Sequence, residues 1–98
     1  MKRLKVSKAV IVRAHSGVFF GYLVARSATE LRLERVRHIW QWSSTGLPRK
    51  ALTVEDVATI GAGSGTRISG VTAVVTISDW KVVADATPEA VQRIEALP

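Results

Sequence analysis

The first half of the chain has two short apolar runs followed by two stretches that alternate apolar and polar residues, and both patterns indicate β-strands. Residues 7–14 and 18–25 form the two apolar runs on either side of His15-Ser-Gly17, and a short link of this kind predicts a hairpin. Residues 29–34 and 36–43 are the alternating stretches, so we predict a meander of four antiparallel strands. In the last strand, alternation puts one set of side chains on a common face: Val36, His38, Trp40 and Trp42.

The second half combines two helical patterns with two more strands. Residues 53–60 are predicted to be helical, because Thr53 can cap the helix and Asp56 stands three residues later, which is the spacing of a capping box. Residues 71–77 and 80–84 are predicted strands, and Thr87-Pro88 begins a C-terminal helix with a capping hydroxyl and a proline at its first position. We therefore expect an α+β fold, with a curved antiparallel sheet of about six strands, a short internal helix and a C-terminal helix.

Composition is consistent with a single folded domain over residues 1–98. The chain is 47% hydrophobic and 22% charged, an ordinary globular balance. Its apolar runs are far shorter than the about 20 residues that cross a membrane, and no signal-peptide core follows the basic start. We expect a cytoplasmic protein that does not enter the membrane. The chain has no cysteine, which excludes disulfide and thiolate chemistry.

The charge balance favours anionic partners. Lys and Arg number 14 against 8 Asp and Glu, giving a net charge of +6. Residues 1–8 form a basic N-terminal arm, and a solvated arm is its simplest interpretation. The alternative is an arm that follows the phosphates of a nucleic acid.

The stretch Gly61-Ala-Gly-Ser-Gly-Thr-Arg-Ile-Ser-Gly70 is similar in composition to phosphate-binding loops. It does not match a dinucleotide fingerprint, because it follows a helix and leads into a strand, and it lacks the lysine of a P-loop. Two interpretations stay open. The stretch is either a flexible connector, or a turn whose backbone N–H groups bind an anion. In the second case Ser64, Thr66, Arg67 and Ser69 add donors around a phosphate.

The segment Val36-Arg-His-Ile-Trp-Gln-Trp42 also has two interpretations. Trp40 and Trp42 are core or interface residues in the first, which is how most tryptophans are used. In the second they form a stacking wall for a base, with Arg37 or His38 near a phosphate.

Catalysis is not expected. His15 and Ser16 lie side by side in the first turn, but no third group or oxyanion pocket can be assigned to them. The histidines and aspartates show no metal-ligand spacing. We predict no catalytic residue, no metal site, no cofactor and no enzymatic activity.

Several motifs together resemble a family of small bacteriophage proteins. They are the string from Val10 to Leu23, Arg37-x-Ile-Trp-x-Trp42, Gly61-x-Gly-Ser-Gly-x-Arg-Ile-Ser69 and Ala86-Thr-Pro-Glu-Ala-Val91. The chain resembles the anti-defence sponges that sequester the Thoeris signal glycocyclic ADP-ribose and, in some members, cyclic oligonucleotides of CBASS defence. The resemblance extends over most of the chain after the basic arm.

This resemblance implies a phage immune-evasion sponge that binds a cyclic nucleotide-type signal without cleaving it, in the cytoplasm of an infected bacterium. It also implies a homo-oligomer, a dimer or hexamer, with ligands enclosed between subunits. A pocket of this kind needs arginines for phosphates, an aromatic for the base and small residues for close approach. The implied ligand-binding residues are Arg13, His15, Arg37, Trp40, Trp42, Ser64, Thr66 and Arg67.

Two other function classes remain. A small basic module could bind nucleic acid through Lys2, Arg3, Lys5 and Lys8 with aromatics stacking on bases, although a nucleic-acid partner is not what the resemblance implies. A phage structural or assembly subunit would form oligomers with no nucleotide affinity.

Overall fold

The computed structural model describes residues 8–98, so the predicted basic arm lies outside the described residues except for Lys8. These residues form six strands and two helices, in the order β1 (Lys8–Ala14), β2 (Gly17–Arg26), β3 (Leu31–Gln41), α1 (Val54–Ile60), β4 (Arg67–Ile68), β5 (Thr72–Ile77), β6 (Trp80–Asp85) and α2 (Pro88–Glu95). The expected α+β class is confirmed. Within residues 8–98, no helix is both long enough and apolar enough to cross a membrane.

All strand pairs in the sheet are antiparallel. The strands are ordered β4-β3-β2-β1-β6, and β5 pairs with β3 on the side that β4 also occupies. Thus β5 and β6 lie at opposite ends of the sheet, although only Ser78 and Asp79 connect them. Such a short link can join the two ends only if the sheet curls strongly, which confirms the predicted curvature.

The curled sheet buries side chains on both faces, because successive residues of each strand point to opposite sides. On the inner face, Val12 and Leu33 pack with Ile77 in a cluster built from strands alone. On the outer face, Ile11 and Phe20 pack against residues of both helices, including Val57 of α1 and Ile94 of α2. The helices therefore cover one side of the sheet, and the curl encloses the other.

The third strand differs from the prediction. Residues 29–34 and 36–43 were expected to form two strands, but β3 is one continuous strand with a bulge at Arg35, whose φ is 52°. The pairing of β2 with β3 shifts register at this point, between Phe20 and Tyr22. A bulge inserts one extra residue and reverses the alternation without ending the strand. The break in the apolar pattern was therefore mistaken for a turn.

The helix boundaries follow the predicted caps. The Thr53 hydroxyl accepts a hydrogen bond from the Asp56 backbone N–H, and the Asp56 carboxylate accepts one from the Thr53 backbone, which completes the capping box of α1. Thr87 caps α2 in the same way, accepting from the Ala90 N–H at 3.1 Å. The two-residue strand β4 was not predicted, because an alternating pattern needs more residues to be visible.

Candidate functional site

The glycine-rich stretch of residues 61–70, called the glycine loop below, forms one wall of a cavity of 520 Å³ through its residues 62–66. Residues 45–47 form a second wall, and the C-terminal end of α2 closes the third side. The polar side chains that line the cavity are Thr45, Ser64, Thr66 and Arg93, and the apolar lining includes Leu47 and Leu97. The cavity thus combines hydroxyl groups, one cation and apolar surface.

The glycine loop is fixed by hydrogen bonds to the segment after β3. The Gly63 N–H donates to the Ser43 carbonyl at 2.7 Å, and the Ser64 N–H donates to the Thr45 carbonyl at 3.2 Å. The Thr66 hydroxyl donates to the Gly63 carbonyl at 2.7 Å and accepts from the Ser43 N–H at 3.0 Å. Neither interpretation left open by the sequence describes this loop as it stands. It is not a flexible connector, and the Gly63, Ser64 and Thr66 N–H groups donate to backbone carbonyls within the protein, so they do not form a free anion-binding turn. The loop is a preformed wall.

Arg93 was missed by the sequence-based predictions. It lies in the last turn of α2, and it is the one charged residue among those that line the cavity. Its guanidinium donates to the Ile60 carbonyl at 2.9 Å, at the end of α1, and it also pairs with Glu89. The sequence contains no signal for this position, because nothing local indicates that the end of α2 faces the glycine loop.

Arg37 supports the cavity from behind and does not line it. It is 6% exposed, and its guanidinium donates to four backbone oxygens. The acceptors are Ser69 (2.8 Å), Ile94 (3.1 Å), Leu97 (2.9 Å) and Pro98 (2.9 Å). A cation at this position satisfies the carbonyls at the end of α2 and opposes the negative end of its dipole. The guanidinium N–H groups of Arg37, which were predicted to bind phosphate, therefore donate to backbone oxygens of the protein itself.

The prediction that Trp40 and Trp42 share one face of the sheet is wrong. Trp40 is 62% exposed and lies 5.4 Å from the ring of His38, which in turn stacks on Phe19 at 4.7 Å. Trp42 follows the end of β3, packs against the outer core, and donates from Nε1 to the Ala51 carbonyl at 2.9 Å. Alternation does not extend to Trp42, because β3 ends at Gln41.

A second, smaller hollow brings together two predicted residues. Arg13 of β1 and Trp42 line a groove of 330 Å³ with Leu52 and Val82, beside the start of α1. Neither residue lines the glycine-loop cavity. The residues predicted from the sequence to form one ligand site therefore lie in different parts of the folded protein.

The remaining predicted residues lie on the surface. Arg67 is exposed on β4, opposite Gln41 of β3. His15 is exposed in the turn between β1 and β2, where its backbone N–H donates to the Asp79 carbonyl at 3.1 Å. The neighbouring Ser16 hydroxyl donates to the Asp79 carboxylate at 3.3 Å, so this turn is held against the link between β5 and β6.

Metal ligands do not cluster in residues 8–98: no group of three His, Cys, Asp or Glu side chains could hold an ion there. The cavity chemistry available in the described residues is hydrogen bonding, positive charge and apolar contact.

Comparison with protein families gives one match, described as a domain of unknown function (DUF6948), over residues 7–94. No curated protein and no solved structure matches the chain. The matched range includes every strand and all but the last residue of α2. The chain belongs to the DUF6948 family.

Proposed function

We propose that this protein binds a small phosphate-containing ligand of the nucleotide class in the glycine-loop cavity and holds it without cleaving it. The observation that supports this function is the preformed cavity of 520 Å³, with Arg93 in its lining. Ligand sites for small molecules typically measure about 300–1,000 Å³ and combine apolar walls with a few fixed polar groups. The net charge of +6 adds attraction for an anion.

The roles of the lining residues follow from their chemistry. Arg93 supplies positive charge for a phosphate, and the exposed Ser64 hydroxyl supplies a hydrogen-bond donor. Leu47 and Leu97 offer apolar contact for a base or a sugar. Because Thr66 is bonded to the loop backbone, its role is to hold the wall in shape.

The specific form of this proposal is a phage sponge for an immune signal, either a cyclic ADP-ribose variant or a cyclic oligonucleotide, acting in the cytoplasm of the infected bacterium. The motif resemblance supports the ligand class, and the same resemblance supports assembly as a homo-oligomer, a dimer or hexamer. A sponge works by stoichiometry, so it requires tight binding and no turnover. A dissociation constant of about 1 nM corresponds to about −12 kcal/mol.

Calorimetric titration tests the proposal with glycocyclic ADP-ribose, cyclic ADP-ribose isomers, and cyclic di- and trinucleotides. We expect nanomolar binding of at least one ligand, recovered chemically intact after the protein is heated. Arg93→Met and Ser64→Ala should each weaken that binding at least tenfold, whereas the exposed Arg32→Met on β3 should not. No binding across the panel, or a converted ligand, would overturn the proposal.

A second function is favoured by one observation, the exposed Trp40 beside His38. Single-stranded nucleic acid can stack on such a side chain while cations follow its backbone. Anisotropy with labelled single-stranded DNA decides between the two. A nucleic-acid module predicts DNA binding that falls steeply with salt and is lost in Trp40→Ala. If that result is found and no cyclic nucleotide binds in the calorimetric titrations, the nucleic-acid module replaces the sponge as the proposed function.

A further inference from the structure

The outer edge of β5 has no partner strand within the described residues. One edge of β5 pairs with β3, and among residues 8–98 no strand pairs with the other. A free edge presents a row of N–H and C=O groups that can hydrogen-bond with another strand. Proteins usually protect such an edge with a charged side chain, a proline, a bulge or a covering loop.

Charge, proline and bulge are all absent from β5 itself, and most of its residues are exposed. Its sequence, Thr-Ala-Val-Val-Thr-Ile, has no charge and no proline, and its pairing with β3 shows no register shift. The free edge of β6 differs, because that strand carries Lys81 and Asp85. The short β4 has only two residues, one of them Arg67. Of these edge strands, β5 is the unguarded one.

Apolar side chains are also exposed along this edge. Val71, which precedes β5, is 65% exposed, and Val74 at its centre is 43% exposed. By contrast, Ile77 of the same strand is buried in the inner core. The unpaired edge of β5 is therefore accompanied by two solvent-exposed valines.

We infer that the free edge of β5 pairs with the same edge of a second copy of this chain, antiparallel and about a twofold axis at Val74. Two chains of charge +6 repel each other, so a contact between them is least unfavourable where it brings no like charges together. β5 contributes no charge to such a contact, because no charged residue lies between Arg67 and Asp79.

The sequence of β5 is also self-complementary in this register. Pairing about Val74 sets Val74 opposite its own copy, Thr72 opposite Thr76, and Ala73 opposite Val75. Threonine pairs and β-branched pairs are favourable cross-strand neighbours. A twofold contact in which the same patch serves both subunits is the commonest kind of protein dimer. The two curled sheets would then continue into one another.

This inference rests on the homo-oligomer part of the proposed function and names the surface involved. It does not depend on the identity of the ligand. Assembly and ligand binding are measured separately, so failure of one is distinguishable from failure of the other.

The first test is the mass of the protein in solution, by sedimentation velocity or light scattering. We expect a dimer or a multiple of dimers, and a smaller species for Val74→Lys, since two lysines would then face each other. The matched control is Leu52→Lys, which adds the same charge at a residue 71% exposed before α1 and should leave the mass unchanged. A monomeric wild type, or an unchanged mass for Val74→Lys, would overturn the inference.

The second test remains decisive if Val74→Lys fails to fold. The chain has no cysteine, so Val74→Cys introduces a single thiol. Directly opposite residues of an antiparallel pair have Cα atoms about 4.5–5.5 Å apart, within the range of about 4.4–6.8 Å that a disulfide bridges. Under oxidation Val74→Cys should give a covalent dimer on a non-reducing gel, and Leu52→Cys should not. Absence of the cross-link in Val74→Cys would contradict pairing at this register.

Discussion

Gly63 lies directly against the backbone of Thr45. A Cβ atom added at Gly63 would stand 2.2 Å from the Thr45 carbonyl oxygen, a separation that real Cβ atoms do not show. The contact is backbone against backbone, so no side chain can rotate away to relieve it. The approach of these two segments is what forms the two loop walls of the cavity.

Gly63→Ala should therefore destabilise the protein and open the cavity. Forcing a methyl group into a packed contact costs about 1–3 kcal/mol, and for a domain of this size each kcal/mol lowers the melting temperature by about 4–8 °C. Thermal unfolding followed by circular dichroism measures the change. Gly70→Ala is the matched control, because nothing lies within 4 Å of its added Cβ. Equal melting temperatures for both variants would contradict the close contact.

Arg37→Met should destabilise the fold by an amount on the order of 2–4 kcal/mol, because it removes the donor from one buried and three part-buried backbone oxygens. Arg37→Lys should recover only part of the loss, since an ammonium cannot reproduce the planar fork of a guanidinium. Urea unfolding at neutral pH gives the free energies. Arg67→Met removes an exposed cation and should stay within about 0.5 kcal/mol of wild type. A stable Arg37→Met would mean that the residue is available for a ligand.

Tyr22 should titrate well above the usual range for a phenol. Burial, and then the hydrogen bond its hydroxyl donates to Glu95, raise its pKa to about 12, although the nearby Arg35 lowers it. A raised folded-state pKa stabilises the fold below the unfolded value near 10, and this contribution is lost as pH rises from 10 through 12. The chain has one tyrosine, so absorbance of the phenolate reports it alone.

Variants at Glu95 and Glu89 test how much of the raised pKa of Tyr22 comes from Glu95. Glu95→Gln should move the Tyr22 midpoint down toward 10, because it removes the negative charge beside the hydroxyl. Glu89→Gln, at the start of the same helix, should leave the midpoint unchanged. A wild-type midpoint near 10 would show that the bond between Tyr22 and Glu95 does not form in solution.

Asp56 should make α1 sensitive to acid. Backbone hydrogen bonds from Leu52, and then the Arg49 side chain, hold the pKa of Asp56 below its ordinary value of 3.8. A lowered folded-state pKa stabilises the fold above the unfolded value and loses that contribution as pH falls through the folded one. Asp56→Asn should thus have a lower melting temperature than wild type at pH 7. The difference between the two melting temperatures should become smaller below about pH 4.

The control for Asp56 is its neighbour Glu55, an exposed carboxylate in the same helical turn. Glu55→Gln should change the melting temperature much less than Asp56→Asn at pH 7. If the melting-temperature difference between Asp56→Asn and wild type stays constant from pH 7 to below pH 4, the charge of Asp56 does not stabilise the cap of α1.

Local sequence signals located the elements of this fold well. Thr53 and Asp56 marked the start of α1, and Thr87-Pro88 marked α2. The two apolar runs on either side of residues 15–17 identified β1 and β2 to within about a residue at each end. These signals are readable because capping and alternation join residues only a few positions apart. The bulge at Arg35 is the reason that β3 was predicted as two strands, since one extra residue reverses the alternation inside a continuous strand.

The surroundings of the candidate site were decided by tertiary structure. Arg37 was predicted to bind phosphate, yet its acceptors in the last turn of α2 and in the two residues near the chain end lie 57 to 61 residues away along the chain. Arg93 was not singled out at all, although it lines the cavity. Both outcomes have one physical reason. The partners of these arginines include backbone carbonyl oxygens, and because every residue carries the same carbonyl, only the folded chain determines which ones an arginine meets.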